Sequence, residues 1–124
     1  MKKIILLLTF VVATLFSVAA NQDTCKENKV IKHENCYEII KYYASGGIEE
    51  IEFYDLNKQK TGTWKRYNEI GILIGQAEFK EGEKSGEWKL YDNDGKLITY
   101  ILYKKGKRQL ICTLKDNMLA VVNN

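Results

Sequence analysis

Residues 62–106 read GTWKRYNEIGILIGQAEFKEGEKSGEWKLYDNDGKLITYILYKKG, and this stretch superimposes on itself at an offset of twenty-four residues. Gly62, Trp64, Tyr67, Gly71, Phe79 and Gly82 return as Gly86, Trp88, Tyr91, Gly95, Tyr103 and Gly106. A period of this length belongs to stacked supersecondary units that bury their apolar surface against one another. Such arrays build extended surfaces more readily than enclosed catalytic pockets. Inside each unit the apolar residues alternate. Leu97, Thr99, Ile101 and Tyr103 are set against Ile98, Tyr100 and Leu102, as Leu73, Gly75, Ala77 and Phe79 are against Ile72, Ile74, Gln76 and Glu78. A period of two predicts strands. Asn93-Asp94-Gly95 between two such runs predicts a hairpin turn. The fold class expected is therefore all-β: an antiparallel meander of tandem hairpins in a single elongated, twisted sheet. Aromatic side chains stacked unit on unit would hold it together, Trp64 over Trp88, Tyr67 over Tyr91 and Phe79 over Tyr103.

Outward from this core the repeat weakens. Tyr43 and Gly47 fall in register with Tyr67 and Gly71, whereas Tyr54 comes one residue early against Phe79. Leu110 to Leu114 occupies the place of a last first-arm strand, and Met118 to Val122 is a short strand or an edge cover. Residues 38–124 are thus expected to form the repeat domain. Residues 21–37 are expected to form an N-terminal cap protecting the open edge. Cys25 and Cys36 bracket most of that cap and are expected to pair in an exported chain, a cross-link that would contribute roughly 3 kcal/mol on the chain-entropy estimate. Cys112 lies twenty-four residues after Trp88 and reads as a small buried hydrophobe.

Residues 1–20 have the order of a secretory signal. Lys2 and Lys3 precede an apolar run from Ile4 to Val18, and Val18-Ala19-Ala20 supplies small residues for cleavage. The residues before Cys25, Asn-Gln-Asp-Thr, are unlike those of a lipoprotein signal. The expected address is export, periplasmic or extracellular, with no stable membrane anchor after cleavage. The remaining residues 21–124 carry 17 basic and 16 acidic groups. That near balance gives no electrostatic basis for nucleic-acid binding. The basic group Lys104, Lys105, Lys107 and Arg108 reads as a solvated hairpin end.

Gly62-Thr-Trp64-Lys-Arg-Tyr67, Ile70-Gly71-Ile-Leu73, Phe79-Lys-Glu-Gly82, Gly86-Glu-Trp88-Lys-Leu-Tyr91, Asp94-Gly95-Lys-Leu97 and Tyr103-Lys-Lys-Gly106 together make a recurring phrase: Gly-x-Trp-x-x-Tyr, a turn glycine, then aromatic-x-x-Gly. The phrase resembles the MORN-repeat variant of bacterial proteins in the YwqK-type antitoxin family. The resemblance covers residues 62–107 well and 38–61 and 108–115 loosely. It implies a β-hairpin repeat sheet with a binding or scaffolding role, and no catalytic residues. An export signal would direct any neutralising role toward a toxin that acts in the envelope.

The polar residues form no catalytic constellation in the sequence. The single histidine, His33, lacks a sequence partner for a relay or a metal site. In the acidic group Glu49, Glu50, Glu52 and Asp55, strand alternation lets only Glu50 and Glu52 share a face. Asp92-Asn93-Asp94-Gly95 begins like a calcium loop, but Tyr103 stands where the bidentate glutamate belongs. The glycines punctuate turns and lack the strand-to-helix setting of a phosphate loop. No enzyme activity, cofactor or metal is therefore expected. The candidate binding surface consists of Trp64, Tyr67, Trp88 and Tyr91, since aromatic side chains dominate interface hot spots. The expected function is non-catalytic binding of a protein partner. Carbohydrate or peptidoglycan binding through the same rings, and toxin neutralisation in the envelope, are the alternatives.

Overall fold

The structure, a computed structural model, describes residues 26–115 and 118–121. Among these residues nine strands follow one another in one open antiparallel sheet, ordered β1 to β9 as in the chain. They are β1 Lys29–Lys32, β2 Cys36–Tyr42, β3 Ile48–Asp55, β4 Gly62–Tyr67, β5 Leu73–Lys80, β6 Glu83–Tyr91, β7 Leu97–Lys104, β8 Lys107–Lys115 and β9 Met118–Val121. Every pairing is between sequence neighbours, so the chain is a meander of hairpins. The segment expected as a cap contributes β1, which pairs with β2 from Lys29 opposite Ile40 to Lys32 opposite Tyr37. Part of the cap is thus an edge strand of the same sheet.

Five-residue turns close one end of the strands and also Asp55–Gln59 at the other end, where two-residue turns close the later hairpins. At one end, Tyr43–Gly47, Asn68–Ile72 and Asp92–Lys96 each close with a bond from the first amide to the last carbonyl, 2.9 Å in all three. Asn68 and Asp92 brace theirs with side-chain oxygens that accept from Ile72 and Lys96 amides at 2.8 Å. At the other end, the two-residue turns Glu81-Gly82 and Lys105-Gly106 have positive φ at both positions, 51° and 80°, and 48° and 72°. These are type I′ turns, whose twist matches that of the flanking strands. Each also binds the hairpin before it: Gly82 N–H donates to Lys60 C=O, and Gly106 N–H to Lys84 C=O, both at 3.0 Å.

The turn geometry corrects the register of the first unit. Gly46, with φ of 88°, takes the left-handed position that Gly71 and Gly95 hold in later turns. Gly47 instead corresponds to Ile72, and Tyr42 rather than Tyr43 corresponds to Tyr67. The first unit is therefore displaced by one residue throughout, and Tyr54 matches Phe79 without an anomaly. Strict alternation is also broken. Tyr67 pairs with Leu73 and Tyr91 with Leu97, leaving Ile74 and Ile98 as bulged residues. The bulge carries Leu97 away from the face that Thr99 and Ile101 share.

A one-layer sheet has no second layer to pack against. Among the described residues only Trp64, 9 % exposed, and Glu52, 5 % exposed, are classed as buried. Cohesion along one face comes from a continuous row of rings. Tyr54 meets Trp64 at 5.2 Å, Trp64 meets Phe79 at 4.9 Å, Phe79 meets Trp88 at 5.2 Å and Trp88 meets Tyr103 at 5.1 Å between centroids. The expected stacking of Trp64 on Trp88 is thus replaced by an alternating ladder with Phe79 between them. The geometry is tilted or edge-on, the preferred arrangement for rings with a negative face and positive edge, and adds about 0.5–1.5 kcal/mol per pair beyond burial.

Gly86 lies in the bulge that lets β6 slip against β5 before Trp88 reaches Ala77. Its φ is 57°, and a Cβ there would sit 1.8 Å from the Glu78 carboxylate oxygen. The carboxylate can swing aside, but the backbone conformation cannot. Gly86→Ala should lower stability in urea denaturation by about 1–2 kcal/mol. Glu81→Asn, at the first position of a type I′ turn, should raise it by about 0.5–1 kcal/mol.

Candidate binding groove

The ladder face takes its relief from side-chain size. Trp64 on β4 lies opposite Ala77 on β5, and Ala77 lies opposite Trp88 on β6. One rung along, Arg66 lies opposite Gly75, and Gly75 opposite Leu90. Small residues on the central strand between large ones on both neighbours make a trough. Gly75 and Ala77 form its floor, Trp64, Arg66 and Glu50 one wall, and Trp88 and Leu90 the other. Phe79 closes one end beneath Lys60, and the cavity is about 450 Å³. With strands about 4.8 Å apart, the two walls stand roughly 10 Å from each other.

The tryptophans are fixed by more than packing. Trp64 Nε1 donates to Phe53 C=O and Trp88 Nε1 to Glu78 C=O, both at 3.0 Å. In each case the acceptor is the carbonyl just before the next ring of the ladder, Tyr54 or Phe79. Lysines lie over the rings at the same spacing. Lys60 Nζ is 4.5 Å from the Trp64 ring centre and 5.1 Å from that of Phe79, and Lys84 Nζ is 4.7 Å from Trp88 and 5.2 Å from Tyr103. An ammonium over an aromatic face is attracted by the ring quadrupole. The indole N–H groups are thus committed to backbone, and a face of each ring lies under a cation.

Beside the groove, the first unit replaces the small floor residues by acids. Glu50 and Glu52 occupy the positions that Gly75 and Ala77 hold one unit later, and Lys41 occupies that of Arg66. Lys41, Glu50 and Arg66 lie directly opposite one another across β2, β3 and β4. Lys41 bridges Glu52 and, at 3.3 Å, Glu50, while Arg66 reaches Glu50 at 3.0 Å. The Tyr54 hydroxyl donates to Glu52 at 3.2 Å. The buried carboxylate is therefore met by a cation and a hydroxyl, as a buried charge requires. Hydrogen bonding to Glu52 raises the Lys41 pKa above its ordinary 10.5, against the desolvation that lowers it. Desolvation opposes ionisation of Glu50, but the Arg66 charge and the hydrogen bonds from Lys41 and Arg66 outweigh it, holding Glu50 below 4.5. Desolvation, reinforced by Glu52, raises the Tyr54 phenol above 10.0.

The four aromatic residues singled out from the sequence do not share a face. Trp64 and Trp88 line the groove, but Tyr67 and Tyr91 stand three residues further along β4 and β6, where alternation turns them to the opposite face. That face holds a separate depression of about 420 Å³ between Glu38, Ile51, Phe53, Thr63 and Lys65. Cys36 opens β2 and is bonded to no other cysteine among the described residues; its expected partner Cys25 lies outside them. Cys112 is half-buried on β8, opposite Tyr100. His33 bonds Glu38 at 2.9 Å. Asp55 serves its own turn, accepting from the Asn57 and Gln59 amides at 2.9 Å. Among the described residues no three His, Cys, Asp or Glu side chains converge as a metal site. Among the described residues no helix is long and apolar enough to cross a membrane. Lys60, Lys84 and the Gly75–Ala77 floor escaped the sequence reading. The lysines, twenty-four residues apart and each four residues before a tryptophan, carried a legible signal in their spacing.

No protein-family model and no curated protein matches the chain. Among solved structures it is similar to the crystal structure of accessory secretory protein 1, 2 and 3 in Streptococcus pneumoniae, at 14 % identity and a TM-score of 0.46. The match covers 80 % of this chain and 19 % of that one, so the chain spans about a fifth of the structure it matches.

The charged cluster makes stability depend on pH in two limbs. Glu50 is more acidic folded than unfolded, so its contribution is complete above about 4.5 and lost as pH falls through the folded value. Lys41 is raised, so its contribution is complete below 10.5 and lost as pH climbs through the folded value. Urea midpoints measured across pH should form a plateau between these limits. Lys41→Met leaves Glu52 buried without its cation and should cost about 1–3 kcal/mol at neutral pH while removing the Lys41 part of the alkaline limb.

Proposed function

We propose that this protein is an exported, non-catalytic binding module that engages a protein partner through the ladder-face groove, in the cell envelope or outside the cell. The observation that carries this reading is the trough itself: a floor of Gly75 and Ala77 between walls that include Trp88 and Leu90, on a sheet that no second layer covers among the described residues. Leu90 is 46 % exposed. An exposed aliphatic side chain beside a half-buried tryptophan is the pattern of an interface anchor rather than of a core. The MORN-like phrase supports a binding role, and the charged, apolar, small-residue order of Met1 to Ala20 supports export.

Two observations favour a protein partner over a stacked sugar. A face of each indole lies beneath a lysine, and both indole N–H groups are committed to carbonyls. Sugar binding by stacking needs an open ring face, whereas a peptide side chain can seat on the floor between the rings.

Photo-cross-linking in cells tests the reading. A benzoylphenylalanine at Leu90 should yield one dominant protein adduct, and the same probe at Tyr100 on the opposite face should not. Glycan adducts from Leu90, or equal yields from the two positions, would count against it.

A further inference from the structure

The groove's charge identifies the chemistry of what it holds. Carboxylates and cations on the ladder face do not balance. Glu52 is consumed by Lys41 and the Tyr54 hydroxyl, and Glu50 is shared between Lys41 and Arg66. Arg66, at 61 % side-chain exposure, gives one Nη bond to Glu50 and turns the rest of its fork to solvent at the open end of the trough. At the closed end Lys60 sits above Trp64 and Phe79, and among the described residues no carboxylate pairs with it. Lys84 repeats that arrangement beyond the Trp88 wall. A short apolar floor is thus bounded at both ends by positive charge, and Glu50, the acid that lines it among the described residues, is already satisfied.

We infer that the groove takes an extended peptide segment in which one aliphatic or aromatic side chain is flanked by carboxylates. The apolar side chain seats on Gly75 and Ala77 between Trp88 and Trp64. One flanking carboxylate meets the Arg66 donors that Glu50 leaves open, in a charge-assisted bond. The other meets Lys60, whose ammonium is held in place by the two rings. A basic segment would set its charges against Arg66 and Lys60, and like-charge juxtaposition is the stronger part of discrimination. This assignment rests on the groove being the partner-binding surface, and it adds the partner's chemical class.

The test uses the protein purified from cells expressing the full chain, labelled with ¹⁵N. The probes are three blocked pentapeptides: Asp-Glu-Leu-Glu-Asp, its lysine counterpart Lys-Lys-Leu-Lys-Lys and its glutamine counterpart Gln-Gln-Leu-Gln-Gln. The chain has two tryptophans, so two indole N–H signals report on the groove walls directly. The acidic peptide should shift both indole signals and the Gly75, Ala77 and Leu90 amides, at least tenfold more tightly than the lysine peptide. Arg66→Gln and Lys60→Gln, neither of which removes a ladder ring or a backbone bond, should each weaken it about tenfold, the factor one charge-assisted bond supplies. Preferential binding of the lysine or glutamine peptide at the same signals would overturn the acidic assignment while leaving the groove as a binding surface. Absence of shifts at these signals up to millimolar acidic peptide would overturn the assignment, with the Leu90 cross-link deciding separately whether the groove binds anything. Shifts produced by phosphatidylglycerol vesicles and not by the acidic peptide would overturn it in favour of a membrane surface.

Discussion

The ring ladder from Tyr54 to Tyr103 is the interaction on which the rest of this sheet depends. An isolated antiparallel sheet exposes both faces, and among the described residues it buries only one apolar side chain fully enough to call core. Backbone pairing alone exchanges protein hydrogen bonds for water ones at small net gain. Each ring of the ladder touches the next across a strand boundary, so the contacts bind hairpin to hairpin rather than strengthening one hairpin alone. The indole-to-carbonyl bonds then fix ring direction, and the lysines over the rings shield faces that a second layer would otherwise cover.

The groove follows from the same constraint. The ladder needs large rings on β4 and β6, bridged by Phe79, and two rungs of the central strand are left small at Gly75 and Ala77. Size alternation creates the trough, and the positive ends supplied by Lys60 and Arg66 come from residues that already serve the sheet. In the first unit the same positions hold Glu50 and Glu52, and Lys41 fills the relief with an ion cluster. One lattice of positions therefore yields a packed ionic patch at one unit and an open apolar floor at the next. Accordingly the functional reading attaches to this part of the sheet rather than to the repeat as a whole.

The strand character was legible because alternation and turn chemistry act locally. Asn93-Asp94-Gly95 turns the chain by its own local chemistry, whereas Glu81 takes a positive φ that its side chain disfavours. The bulges at Ile74 and Ile98 were not legible, because they arise where one strand must slip to keep Tyr67 and Tyr91 in register with a shorter partner path. The displacement of the first unit was hidden for a related reason: Gly46 and Gly47 are adjacent, and only backbone dihedrals show which one occupies the left-handed position. Of the candidate surface, Trp64 and Trp88 were found by their spacing. Their separation from Tyr67 and Tyr91 follows from strand parity, which the match of motifs across units does not reveal.

By itself, the sequence determined the repeat, the all-β class, the order of the hairpins and the kinds of residue available at each rung. Those are consequences of local propensity and of a period set within each unit. Tertiary structure decided that Phe79 intervenes between the tryptophans, that Lys60 and Lys84 lie over rings, that Glu52 is buried beneath Lys41, and that Gly75 and Ala77 become the floor of a groove. Each of these depends on which residues of neighbouring strands stand opposite one another, and that register is set by bulges and turns acting across strands.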